Sequence, residues 1–122
     1  MKIAIDFDGT CVDHRYPDIG PDVPGAVETM KRLKIDGHQL YLFTMRSGKE
    51  LEDAVMWLVD KGIILSGVQN DPGQINWTDS PKCYAELYID DLAYGCPLIR
   101  PEGFEKECVD WSGVLEVVED RK

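Results

Sequence analysis

Short apolar runs alternate along the chain with segments of helical periodicity, and this alternation constrains the fold more than any other feature. Four runs are clear and a fifth is weaker: Ile3–Ile5, Gln39–Phe43, Ile63–Leu65, Leu87–Ile89 and Pro97–Ile99. Runs this short and rich in branched residues are typical of buried strands. Parallel neighbours need a crossover connection, usually a helix, between them. The alternation therefore predicts an α/β domain of the doubly wound, three-layer, Rossmann-like type, with a mainly parallel sheet of about five strands.

Three segments between and after these runs have the ends that helices require. The first extends from Pro24 to a glycine stop at Gly37. The second begins at Ser47–Glu50, whose spacing is that of a capping box, and ends at Gly62. The third begins near Asp110. Each helix except the last thus leads from one predicted strand to the next.

Composition limits the class of protein. A chain of 122 residues with 43% apolar residues fits one domain, residues 1–122. Its 13 basic and 23 acidic residues give a formal charge of −10, which argues against a nucleic acid duplex as a partner. No run of about 18 apolar residues could span a bilayer, and the N-terminal residues lead into a strand instead of a signal peptide. The four cysteines are too far apart for a zinc or redox motif. We expect a cytoplasmic protein with free thiols and no membrane contact.

Polar side chains follow three of the apolar runs. Asp6 and Asp8 follow the first, Thr44 and Arg46 the second, and Asp90 and Asp91 the fourth. In an open parallel sheet, ligands bind outside the carboxyl ends of the strands. Four carboxylates would meet there, and like charges so close need a cation or a proton between them. A site with only oxygen ligands suits a hard divalent ion such as Mg²⁺.

Two further features point to phosphoryl transfer. Lys82 precedes the fourth run, and Ser80 and Pro81 before it predict the capped start of a short helix, which favours an anion. Positions two apart in an extended segment face the same side, so Asp6 could attack phosphorus while Asp8 handles the proton of the leaving group.

The ordered strings resemble the four motifs of the haloacid dehalogenase (HAD) superfamily of phosphohydrolases and phosphotransferases. They are Asp6-Phe7-Asp8-Gly9-Thr10, Leu42-Phe43-Thr44, Lys82 and Ile89-Asp90-Asp91. The resemblance extends from residue 3 to about residue 95. It implies an HAD-like domain with Asp6 as the nucleophile that forms an aspartyl phosphate, Asp8 as general acid and base, and Thr44 and Lys82 as phosphoryl-binding residues. It also implies that Asp6, the backbone carbonyl of Asp8, and Asp90 hold Mg²⁺, with Asp91 supporting that shell.

The spacing of the motifs leaves no room for the cap domain that many HAD proteins carry. The chain therefore resembles small capless hydrolases of bacteria and phages, in which a loop or a neighbouring subunit of a homo-oligomer closes the site. The remaining substrate-binding candidates lie near the motifs: Gly9, Thr10, His14, Arg15 and Arg46. Arg46 could bind an anion through its bidentate fork. His14 or Arg15 could touch the leaving group, although a place in a solvated loop is the favoured interpretation for both.

Taken together, these features predict a Mg²⁺-dependent phosphomonoesterase acting on a small phosphorylated metabolite, such as a nucleotide or a sugar phosphate. Two alternatives belong to other classes. A signalling receiver domain has a similar length and an acidic Mg²⁺ site, but its adjacent acids follow the first strand and its lysine comes last. The second alternative is a noncatalytic module that binds Mg²⁺ or phosphate on the same fold, and it is harder to exclude. Loss of Asp6 or Asp8 would identify such a module, and both residues are present.

Overall fold

The computed structural model describes all 122 residues, and its centre is a four-stranded parallel sheet. The strands are β1 (Lys2–Ile5), β2 (Gln39–Leu42), β3 (Gly67–Val68) and β4 (Leu87–Ile89), in the order β3-β2-β1-β4. This confirms the predicted α/β class. The order matches the first four strands of the common doubly wound sheet and differs from the 2-1-3-4-5 order of receiver domains. It therefore counts against the receiver alternative.

Three α-helices pack on one face of this sheet. They are α1 (Ala26–Ile35), α2 (Gly48–Asp60) and α3 (Val114–Asp120). The connections from β1 to β2 and from β2 to β3 step in the same direction, so right-handed crossovers place α1 and α2 together. The core on this face contains Ile3, Ile5, Leu40, Leu42, Met30, Leu33, Ala54, Leu58 and Val118.

The opposite face has a smaller cover without an α-helix. Ala4, Tyr41 and Cys83 form its buried cluster. The connection from β3 to β4 runs over this face and contains a 3₁₀ turn at Pro72–Asn76. Asp71 caps that turn, pairs with the ammonium of Lys2 and accepts a hydrogen bond from the Tyr41 hydroxyl. The third layer predicted from the sequence is thus a tethered segment instead of a helix.

Two predicted strands differ from the structure. The run Ile63–Leu65 is not a strand: Ile63 completes the end of α2 by donating its N–H to the carbonyl of Leu58 at 3.0 Å, and β3 begins at Gly67. The weak fifth run forms β5 (Leu98–Ile99), which pairs antiparallel with β6 (Cys108–Val109) in a separate sheet. The parallel sheet therefore has four strands, not five.

Helix ends also depart from the sequence prediction. α2 begins where expected, but the Ser47 side chain makes no capping hydrogen bond. Ser80 and Pro81 open no helix; the Ser80 hydroxyl accepts a hydrogen bond from the backbone N–H of Lys82 instead. The last helix begins with a 3₁₀ turn at Trp111–Gly113 before α3. No helix is both long and apolar enough to cross a membrane.

Candidate active site

The acidic residues gather where β1 and β4 end side by side. Asp6 continues the ladder beyond β1, because its N–H donates to the carbonyl of Ile89 at 3.0 Å. The strand order changes direction between β1 and β4, and ligands bind at such a switch point in open parallel sheets. One side-chain oxygen each of Asp6, Asp90 and Asp91 lies within 4.8 Å of the others. The predicted convergence of carboxylates is therefore present for these three residues.

Burial and the neighbouring charge of Asp90 make ionisation of Asp6 and of Asp91 costly. Burial, the charge of Asp90 and a hydrogen bond with Asp91 raise the pKa of Asp6 to about 8. Burial, together with the charge of Asp90, also raises the pKa of Asp91. One Asp91 oxygen, Oδ1, is buried without a hydrogen-bond partner. Gly9 makes room for this carboxylate, since a Cβ at its φ of 80° would lie 2.2 Å from Oδ2 of Asp91. Hard oxygen donors with an unsatisfied buried atom fit a divalent cation.

Asp6 is positioned from behind by buried residues. The Thr10 hydroxyl donates to Oδ2 of Asp6 at 3.2 Å. The Thr10 carbonyl in turn accepts a hydrogen bond of 2.8 Å from the indole N–H of buried Trp111. Thr10 and Gly9 are both buried, so they support Asp6 and Asp91 and do not face a substrate as the sequence had suggested.

Asp8 is held apart from this cluster by Arg46. Nε and one terminal nitrogen of the guanidinium each donate to a different Asp8 oxygen at 2.8 Å. Such bidentate pairs are strong and fix the plane of the carboxylate. The backbone carbonyl of Asp8 accepts no hydrogen bond, which leaves it available as a ligand.

Every remaining donor of Arg46 is also used. The guanidinium donates to the carbonyls of Pro17, Asp18 and Glu50, and its side chain is 1% exposed. Pro17 and Asp18 belong to the loop Asp13–Gly20, called the flap loop below. The expected use of the Arg46 fork on a substrate is therefore wrong for this arrangement: Arg46 ties Asp8 to the flap loop and to α2.

Thr44 lies at the end of β2 and is fixed by Gln69, a residue that the sequence did not single out. The Gln69 side chain accepts from the Thr44 N–H at 2.9 Å and donates to the Thr44 carbonyl at 2.7 Å. The Thr44 hydroxyl accepts from the N–H of Arg46 at 3.2 Å. Gln69 follows β3, so correct placement of that strand would have identified it.

These residues surround a cavity of 390 Å³. Its lining residues are Asp6, Asp8, His14, Tyr16, Thr44, Met45, Arg46, Asp91, Leu92 and Lys106. His14 is where the sequence suggested. Lys106, Tyr16, Met45 and Leu92 were not anticipated, and no local pattern marks Lys106.

Asp90, Gly9 and Thr10 do not line the cavity but adjoin Asp6 and Asp91, whereas Lys82 and Arg15 lie outside the cavity altogether. The Lys82 ammonium is 5.1 Å from the centre of the Tyr88 ring and pairs with no carboxylate. Arg15 binds Asp13 at 3.1 Å and the carbonyl of Gly103 at 3.1 Å, so it joins the flap loop to a later loop and does not face a substrate.

Comparison with known proteins adds a relative. No protein-family model and no curated protein matches the chain. A solved structure, that of a conserved protein from Bacteroides thetaiotaomicron, has a TM-score of 0.79 to this fold and 37% sequence identity. The match covers 100% of this chain and 92% of the other. The two proteins belong to one family. The name of the Bacteroides protein states no activity, so the chemistry of this family has to be argued from the site.

Proposed function

We propose that this protein is a Mg²⁺-dependent phosphohydrolase of the HAD type, which transfers a phosphoryl group to Asp6 and then to water. The observation that carries the proposal is the cluster of Asp6, Asp90 and Asp91 oxygens within 4.8 Å at the ends of β1 and β4. The raised pKa of Asp6 supports the proposal, because a cation beside Asp6 and Asp90 would lower the cost of ionising Asp6. The HAD resemblance of three motifs, at Asp6–Thr10, Leu42–Thr44 and Ile89–Asp91, supports the same chemistry, whereas Lys82 of the remaining motif lies outside the cavity.

The metal fits the residues present. Asp6, Asp90, Asp91 and the free carbonyl of Asp8 would hold it. When bound, Mg²⁺ supplies positive charge that lowers the cost of ionising Asp6 and offsets charge on the phosphoryl oxygens. The side chains of the protein would carry out the nucleophilic attack and the proton transfers.

In the proposed reaction, a carboxylate oxygen of Asp6 attacks phosphorus and the bond to the leaving oxygen breaks. Asp8 gives that oxygen a proton, so an alcohol and an acyl phosphate on Asp6 result. Asp8 then takes a proton from water, which attacks phosphorus and releases phosphate with the Asp6 carboxylate restored. Both Asp8 oxygens accept hydrogen bonds from Arg46 in the structure, so this role requires one oxygen to separate from the guanidinium and to carry a proton before the leaving group departs. The contacts of Arg46 with three backbone carbonyls would hold the guanidinium in place during that separation. We assign contact with the phosphoryl group to Thr44, which lines the cavity.

The test is phosphate release from a panel of phosphate esters, with Mg²⁺ or with EDTA. We expect activity only with Mg²⁺, and a loss of about 10³-fold or more in Asp6→Asn, because the nucleophile is removed. Asp8→Asn should lose about 10²- to 10⁴-fold. Asp60→Asn, at the exposed end of α2, is the matched control and should keep wild-type activity.

The result also separates the alternative. A folded protein that binds Mg²⁺ in calorimetry but releases no phosphate from any ester would favour a noncatalytic binding module. Activity that survives EDTA or Asp6→Asn would contradict the mechanism.

A further inference from the structure

The rim of the cavity carries apolar side chains that packing does not explain. Met45 is 98% exposed and Leu92 is 89% exposed, and both line the cavity above the acidic cluster. Tyr16, from the flap loop, is 52% exposed on the same rim. Contiguous exposed apolar groups around a polar site are typical of ligand-binding surfaces.

Tyr16 offers a flat surface that is already oriented. One side of its ring lies 5.3 Å from the guanidinium carbon of Arg46, which is itself fixed. Half of the side chain remains open to a planar partner. Aromatic rings stack on planar groups, and the flexible Met45 side chain adapts to their edges. This side of the cavity suits an aromatic leaving group.

Lys106 supplies a charge that nothing in the protein uses. Its side chain lines the cavity and is exposed, and it pairs with no carboxylate. By contrast, four other lysines form ion pairs: Lys2, Lys49, Lys61 and Lys122. Arg46 has no free donor, so Lys106 is the uncommitted cation among the lysines and arginines of the cavity.

The segment that contains Lys106 is tied to the flap loop. The buried Asp13, in the flap loop, accepts the N–H of the neighbouring Glu105 at 3.0 Å. Arg15 bonds Gly103 in the same segment. The residues just before Lys106 are therefore held against the flap loop, and Lys106 itself lines the cavity together with Tyr16 of that loop.

From this arrangement we infer that the substrate is a nucleoside bisphosphate: Asp6 takes one phosphoryl group, Tyr16, Met45 and Leu92 contact the base, and Lys106 binds the second phosphate. The inference rests on the proposed phosphohydrolase function and names its substrate class. The first phosphate leaves as described above, and the second remains on the nucleoside product.

The experiment compares kcat/KM for four esters with the full chain and Mg²⁺. They are adenosine 3′,5′-bisphosphate, adenosine 5′-monophosphate, fructose 1,6-bisphosphate and 4-nitrophenyl phosphate. The wild type should prefer the nucleoside bisphosphate. Lys106→Gln should reduce its preference over the monophosphate by about tenfold, mainly through KM, because a charge-assisted contact is lost. Lys31→Gln, on the exposed face of α1, is the control and should keep the wild-type preference. Leu92→Ser should reduce the preference for the nucleoside over the sugar bisphosphate.

The outcomes separate this inference from the proposed function. Turnover of several esters without preference for the nucleoside bisphosphate, or an unchanged preference in Lys106→Gln, would overturn the inference and leave the phosphohydrolase intact. No turnover of any ester, 4-nitrophenyl phosphate included, would overturn both.

Discussion

At the scale of single residues, the buried guanidinium of Arg46 makes the densest set of polar contacts at the site. It joins Asp8, the flap loop and the first turn of α2, and its central carbon lies 5.0 Å from the centre of the Phe7 ring. A charged group so deeply buried is tolerated because all its donors are paired. Its removal would leave Asp8 without a partner at the edge of an acidic cluster.

We therefore expect Arg46→Ala to lower the free energy of unfolding by about 3–5 kcal/mol, the usual effect of breaking a buried ion pair. Urea unfolding at neutral pH measures this. Arg32→Ala removes an exposed ion pair with Asp36 four residues along α1 and should cost less than about 1 kcal/mol. Equal losses in the two variants would show that the Arg46 network adds no stability.

The residues that lie where the sequence predicted are those whose position depends on their place in the chain alone. Asp6 and Asp90 follow apolar runs directly, so the end of each strand fixes where they go. Arg46, Lys82 and Lys106 have long side chains whose partners come from distant segments. Sequence gives their approximate place but not the atom they bind, and for this reason the contact of Arg46 with Asp8 and the exclusion of Lys82 were missed.

At the scale of elements, the error over β3 had a direct consequence for the site. Ile63 is apolar because it packs at the end of α2, while Ile64 beside it is exposed, so the run imitates a strand without being one. The true strand contains Gly67 and Val68, which carry almost no pattern. Gln69 follows this strand directly, with a backbone φ of 69° in the left-handed region. From this position its side chain accepts a hydrogen bond from the N–H of Thr44.

Gln69→Ala should therefore impair catalysis more than metal binding. Loss of both contacts with Thr44 lets the end of β2 move, and misplacement of a reacting group by about 1 Å can reduce kcat about 10²-fold. Turnover and Mg²⁺ calorimetry on the same preparation measure the two effects. Gln39→Ala, an exposed residue at the start of β2, is the control. A Gln69→Ala variant with wild-type kcat would show that Thr44 needs no such support.

The segment over the second face of the sheet depends on Asp71. The hydrogen bond from Lys2 holds the pKa of Asp71 below its usual value, despite burial. Asp71→Asn should lower the free energy of unfolding by about 1–3 kcal/mol near pH 7, since it weakens a partly buried ion pair and a cap. A carboxyl with a lowered pKa stabilises the fold above its unfolded pKa, and this stabilisation is lost as the pH falls through the folded pKa.

The difference between wild type and Asp71→Asn should accordingly shrink below about pH 4. Urea unfolding at neutral and acidic pH tests this. Asp53→Asn, which removes an exposed pair with Lys49, should change stability by less than about 1 kcal/mol at either pH. If the difference in free energy of unfolding between wild type and Asp71→Asn stays constant across this pH range, the charge of Asp71 does not contribute to stability.

At the scale of the whole molecule, the acidic cluster makes stability depend on pH and on a cation. The pKa of Asp6 is about 8 in the folded chain, against about 4 for an unperturbed aspartate. Protonated Asp6 therefore favours the folded state at low pH, and this contribution is lost as the pH rises through about 8. Asp6 should therefore make the metal-free protein lose stability between about pH 4 and pH 8, with no further loss from this residue at higher pH.

Mg²⁺ should raise the melting temperature more at about pH 9 than at about pH 5, because it stabilises the ionised cluster. Asp6→Asn should flatten the pH dependence of the metal-free protein and make it more stable than wild type at about pH 9, by about 1–3 kcal/mol. Thermal melts with EDTA or Mg²⁺ measure both. A wild type whose stability rises through this range would contradict the raised pKa of Asp6.

The hydrogen bond between Trp111 and Thr10 makes the fluorescence of Trp111 a probe of the acidic cluster. The indole of Trp111 is buried and bonded to the Thr10 carbonyl, and Thr10 holds Asp6 through its hydroxyl. A change of charge at Asp6 is thus two hydrogen bonds away from a fluorophore shielded from water. In a variant with Trp57 and Trp77 replaced by phenylalanine, Trp111 emission should shift when Mg²⁺ is added, so occupancy can be followed in real time without a label.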